Sequence, residues 1–154
     1  MNLSRRATAG LVGAVAALTV LTAGPAGAVT PTSVAAGTPG WSSSQLKASG
    51  AFKNSATVAA TYSYTLQLVR TSTATKPSCT TASGCLSSGT TQVLLNKVTS
   101  SVSVAKSSTY TLPTLAVNCA ASTTVRYYWS WLKVADSSGN VVVTSSSYIA
   151  GKYC

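Results

Sequence analysis

The chain has 154 residues, and its formal net charge of +10 sets eleven basic residues against a single acidic one, with no histidine. That balance excludes most enzymatic chemistry. General acid–base catalysis draws on His or a tuned carboxylate, glycosidases on two carboxylates, and Ser-His-Asp or Cys-His nucleophiles on an imidazole. No enzyme, no cofactor and no metal site is expected, since a catalytic metal would lack imidazole and carboxylate ligands.

Residues 1–28 read as a signal peptide. Arg5 and Arg6 form a positive start, Ala7 to Ala23 is an uncharged apolar run, and Ala26-Gly27-Ala28 supplies small residues for cleavage. The run is short for a bilayer span and rich in Ala and Gly, so export is expected and membrane insertion is not. The paired arginines raise the twin-arginine route, but Ala7-Thr8-Ala9 lacks the bulky apolar residues that follow them there. What remains is about 126 residues, one domain's worth, with nine basic residues against Asp136 alone. Its wealth of Thr and Val and shortage of Glu, Lys and Arg point to an all-β fold.

Residues 29–45 hold Pro31, Pro39 and no charge, and predict an extended N-terminal arm with Trp41 inside it. Trp41 either folds back over one end of the core or anchors the arm on a partner's sheet edge. From residue 46 to residue 154 the pattern predicts a small antiparallel β-sandwich of about seven strands, with a small barrel as the second choice. Leu46 to Lys53 alternates as one half-buried strand, with Leu46, Ala48, Gly50 and Phe52 sharing a face. A longer strand puts Val58, Ala60, Tyr62, Tyr64, Leu66 and Leu68 inward, and Thr61, Ser63, Thr65 and Gln67 outward. Thr71 to Thr91 reads as a loop carrying Lys76 and the Cys79/Cys85 pair. Val93–Val98 and Ser101–Lys106 read as two short strands. Pro113 interrupts the run from Tyr110 to Val117 and marks an edge or a bulge.

The last 32 residues carry the clearest signal. Apolar-aromatic runs flank Asp136-Ser137-Ser138-Gly139-Asn140, a cluster of turn formers, which predicts a β-hairpin with Ala135 opposite Val141. That register brings Cys119 to Cys154. Four cysteines in an oxidising compartment then predict two disulfides, Cys119–Cys154 and Cys79–Cys85. Zinc is the weaker reading, because no Cys-x-x-Cys pair occurs. On the hairpin's first arm, Tyr127, Trp129 and Trp131 share one face while Tyr128, Leu132 and Val134 share the other. The first set is either sandwich core or an exposed aromatic strip.

No family motif can be laid on the chain residue by residue. The lysines are dispersed rather than clustered among aromatics, so nucleic acid is not an expected partner. The expectation is a secreted, extracellular protein-binding module whose partner is another secreted or cell-envelope protein. In its sharpest form it is a small adaptor subunit of an extracellular assembly such as an antibacterial toxin complex. The residues expected to bind are Trp41, Lys76, Tyr127, Trp129 and Trp131. Two other readings are carried: inhibition of a secreted protease or amylase by the disulfide-closed loop, and carbohydrate or cell-wall binding by the Trp129/Trp131 strip. The sequence does not set an oligomeric state.

Overall fold

The computed structural model describes residues 29–78 and 92–154. The expected leader, Cys79 and Cys85 lie outside the described residues. Among those residues there are eleven strands and no helix. They are β1 (Thr32–Ala36), β2 (Gly40–Ser42), β3 (Gln45–Ala48), β4 (Gly50–Lys53), β5 (Ala60–Thr71), β6 (Gln92–Val104), β7 (Thr109–Thr111), β8 (Leu115–Asn118), β9 (Arg126–Asp136), β10 (Val141–Ser145) and β11 (Ile149–Gly151).

All pairings are antiparallel. One sheet has the order β10-β9-β5-β6, with β11 also on β9. Two three-stranded sheets, β1-β4-β7 and β2-β3-β8, form the other layer. They are lengths of the same three lines of chain, broken at matching positions. Pro39 separates β1 from β2, and Pro113 separates β7 from β8. A proline has no N–H for a ladder, so two of them flanking Ser49 split the layer there. The break is bridged by Gly37 N–H to Ser49 O at 2.8 Å and Leu112 N–H to Gly50 O at 2.9 Å. At the other end of this layer, Ser43 and Ser44 close a two-residue hairpin with φ of 49° and 60°. Both central residues are left-handed, the conformation that matches the twist of the strands it joins.

These breaks correct the expected number of strands from about seven to eleven. The Leu46–Lys53 strand is two strands in two sheets, although its faces are as expected: Leu46 and Phe52 are fully buried and Ala48 nearly so. Residues 29–45 supply β1 and β2. Val93–Val98 and Ser101–Lys106 are one strand, β6, because β5 runs unbroken alongside and pairs Thr65 with Thr99 and Tyr64 with Ser100. Val58 lies 47% exposed rather than inward, because β5 begins only at Ala60.

The main core lies between the layers. Leu46, Phe52, Leu112 and Leu115 from one side meet Tyr62, Tyr64, Leu66, Leu68, Tyr128, Leu132 and Val134 from the other. Phe52 packs edge-on to Tyr62 at 5.3 Å between centroids. Two polar side chains, Asn54 and Ser130, are fully buried in this interior, and Ser130 Oγ donates across the layers to Gly37 O at 2.6 Å. The Asn54 amide donates to Val104 O at 2.9 Å and Val58 O at 3.0 Å, and its Oδ1 accepts from Ala56 N–H and the Tyr62 hydroxyl. A buried amide with its groups satisfied holds the β4–β5 connection in one conformation.

The final hairpin has the expected register, Val141 opposite Ala135. Gly139 takes φ of 85°, and the Asp136 carboxylate accepts from Ser138 N–H, Asn140 N–H and the Asn140 side-chain amide at 2.8–3.0 Å. The Cys119–Cys154 disulfide is present, closing a separation of 35 residues with Cα atoms 5.0 Å apart. A loop of that size gives about 4 kcal/mol in the chain-entropy account.

Candidate functional site

Alternation along a strand puts every second side chain on the face turned away from the core. In the five-stranded sheet those residues assemble into cross-strand rows. Val143, Lys133, Thr65 and Thr99 make one row; Ser145, Trp131, Gln67 and Lys97 make the next. Between them lies an open groove of about 540 Å³, lined also by Gln92 and Val141. A smaller hollow of about 180 Å³ continues it past Ser63 and Ala135 to Gly139 at the hairpin turn.

The chemistry of this groove is cationic, hydroxylic and amide, with an apolar rim. Lys97 and Lys133 are exposed, and Thr65 Oγ1 lies 3.1 Å from Thr99 Oγ1. Val141 and Val143 are 47% and 45% exposed along one side. The lining holds no carboxylate. Asp136, the chain's one acidic side chain, is held below the usual carboxylate range, first by the Asn140 side-chain amide and then by backbone N–H groups of its own turn. Its acceptor capacity is used in shaping the turn.

A second apolar cluster sits on the same outer face, toward the other end of β9. Trp129 and Trp131 pack with Val69, and Tyr127 and Tyr148 pack against them. Tyr127 and Tyr148 meet edge to face at 5.6 Å, and Lys76 Nζ lies 5.9 Å from the centre of the Tyr148 ring. Four of the five expected binding residues, Lys76, Tyr127, Trp129 and Trp131, therefore gather in one region. Trp41 does not. It belongs to the opposite layer and stacks on Tyr153 at 4.9 Å with planes 18° apart.

The two expected environments for the tryptophan pair were sandwich core and exposed strip, and the structure differs from both. Trp129 and Trp131 face away from the main core, yet they are only 2% and 6% exposed. Their indole N–H groups are buried without an acceptor among the described residues. Lys97, Lys133, Val141 and Val143 were not anticipated as site residues. The alternation of β5 did mark Thr65 and Gln67 as outward, but the partners of that face come from strands distant in sequence.

Among the described residues no group of three or more His, Cys, Asp or Glu side chains could hold a metal ion. No helix among them is long and apolar enough to cross a membrane.

The described residues thus define an all-β protein of antiparallel sheets with a disulfide and a cationic groove. No known family profile matches the chain, and no curated protein matches it. Among solved structures it is similar to Bacteroides uniformis beta-glucuronidase 2 covalently bound to cyclophellitol-6-carboxylate aziridine, with 12% identity and a TM-score of 0.41. That likeness covers 77% of this chain and 15% of the other, and it carries no argument about function.

Proposed function

We propose that this protein is a secreted, non-enzymatic protein-binding module, a small adaptor subunit of an extracellular assembly, and that it holds a negatively charged partner protein in the groove of the five-stranded sheet. The observation that carries this reading is the pairing of Lys97 and Lys133 across a groove lined by no carboxylate, beside the exposed Val141 and Val143. Apolar contact beside positive charge is a common composition for recognising an acidic protein surface. The lack of histidine and glutamate, and an aspartate committed to its own turn, leave little for proton transfer. Export, removal of residues 1–28 and a second disulfide between Cys79 and Cys85 complete the proposal; the Cys119–Cys154 bond favours an oxidising compartment.

Carbohydrate or wall binding through Trp129 and Trp131 would need an indole face open to a sugar ring, and at 2% and 6% exposure neither indole offers one. The test is capture from native culture supernatant with the full chain as bait, read by mass spectrometry. A stoichiometric protein partner retained by the wild type and released by Lys97→Glu/Lys133→Glu is the expected result. Recovery of no protein, or equal recovery by the double variant, overturns the reading.

A further inference from the structure

An edge strand is chemically unfinished, because every second residue points its N–H and C=O away from its one neighbour. In β10 two hydrogen bonds at the ends of the β9–β10 pairing decide which residues these are. Asp136 N–H donates to Asn140 O at 3.1 Å, and Ser146 N–H to Ser130 O at 2.9 Å. Both pairs continue the register Val142 to Val134 and Thr144 to Leu132. Alternation then places Val142 and Thr144 in the bonded pairs and turns the peptide groups of Val141, Val143 and Ser145 outward. Among the described residues β10 pairs with β9 alone.

Other edges are protected against added strands. β1 follows Pro31 and is broken by a register shift with Ser33 at φ of 50°. β2 follows Pro39 directly. The edge of β6 is tied to β8 by the Asn96 side chain, which donates to Ala116 O at 2.7 Å. β10 has no proline, charge or bulge, and two of its five side chains are valines nearly half exposed. Natural sheets seldom leave such an edge without one of those devices.

We propose that β10 receives an extended strand of an acidic partner protein, which adds a sixth strand to this sheet. The inference rests on the protein-binding reading and specifies its geometry. A residue set opposite Val143 stands on the groove face, in the row that leads to Lys133, so a carboxylate there meets positive charge. A second copy of this chain is a poor occupant, because edge-to-edge pairing would join two strongly basic chains with no carboxylate lining either groove to offset the charge. Main-chain bonds to Val141, Val143 and Ser145 would supply affinity, and the alternating side chains the choice of partner.

The experiment uses the full chain and a short peptide of alternating Asp and Val, with a Lys-Val peptide as control. Amide exchange is followed by nuclear magnetic resonance. The expected result is binding of the acidic peptide alone, with exchange at Val141, Val143 and Ser145 slowed at least about tenfold while other exposed amides are unchanged. Val143→Pro removes an outward N–H and spares the β9 ladder, so it should weaken the peptide at least about tenfold. Peptide bound without protection of those three amides overturns strand addition, as does undiminished binding by a folded Val143→Pro chain or no binding by the wild type. The protection measurement needs no variant, so it decides the matter even where Val143→Pro fails to fold. Partner capture that survives Val143→Pro but fails with the double lysine variant would sink this geometry and keep the protein-binding reading.

Discussion

Trp41 and Tyr153 stack 4.9 Å apart although 111 residues of chain lie between them, and the contact joins the first hairpin to the segment that carries Cys154. Tyr153 also packs against Tyr128 at 5.4 Å, so the indole closes one end of the main core. Trp41→Ala should lower unfolding free energy by about 2 kcal/mol, since the ring is partly exposed and a full core truncation costs more. Urea unfolding followed by circular dichroism measures this. Gly151→Ala should act on the same contact, because a Cβ at that position would run into the Tyr153 ring.

Asn54 gathers groups from three segments, and its removal takes away the acceptor of Ala56 N–H and a donor to the Val104 carbonyl, while the Tyr62 hydroxyl keeps Val29 O. Asn54→Ala should cost about 3 kcal/mol, well above a typical surface substitution. A loss under about 0.5 kcal/mol in the same denaturation experiment would show that the hub is dispensable.

The acid limb of stability should trace to one side chain. Asp136 is lowered in the folded state, so its contribution is present above the ordinary carboxylate value of about 3.9 and is lost as pH falls through the lower folded value. No other side-chain carboxylate exists in the chain. Asp136→Asn should therefore flatten the fall in melting temperature between pH 4 and pH 2 by about half or more.

The alkaline limb has the opposite origin. Burial, and then the Asp136 charge, raise the Tyr62 phenol, so the folded state keeps its proton where the unfolded chain gives it up. Stability from this group is complete below about pH 10 and declines as pH rises through the folded value. Tyr62→Phe should blunt that decline, and melting curves from pH 9 to pH 11.5 would show it.

The groove lysines should separate binding from folding. Lys97 and Lys133 are exposed, and Lys97→Glu/Lys133→Glu should change unfolding free energy by no more than about 0.5 kcal/mol. Cys119→Ser/Cys154→Ser should do the reverse, costing about 4 kcal/mol. A lysine variant that unfolds with the cysteine variant would make those side chains structural.

The sequence was most informative where the physics is local. Period-two alternation identified the buried faces of β3, β4 and β5, and it sorted β9 into two faces without deciding which one meets the core, because each residue's side of a strand is set by its neighbours in the chain. Turn chemistry at Asp136 to Asn140 placed the last hairpin, and that register implied the Cys119–Cys154 bond. Pro113 was recognisable as an interruption, but its effect was not: with Pro39 it divides a whole layer, and nothing local shows that the two prolines lie on either side of the β3–β4 junction. Likewise, Thr99 and Ser100 look like a break in β6 until β5 is seen running alongside.

By itself the sequence determined an antiparallel all-β chain, the inward face of β5, the closing hairpin and the shortage of proton-handling side chains. Tertiary structure alone decided that Lys97 from β6 and Lys133 from β9 share a groove, that Trp129 and Trp131 are buried outside the main core, and that β10 pairs with β9 alone among the described residues. The reason is physical: side-chain direction follows from the backbone of one strand, whereas neighbours across a sheet follow from pairing between segments far apart in the chain.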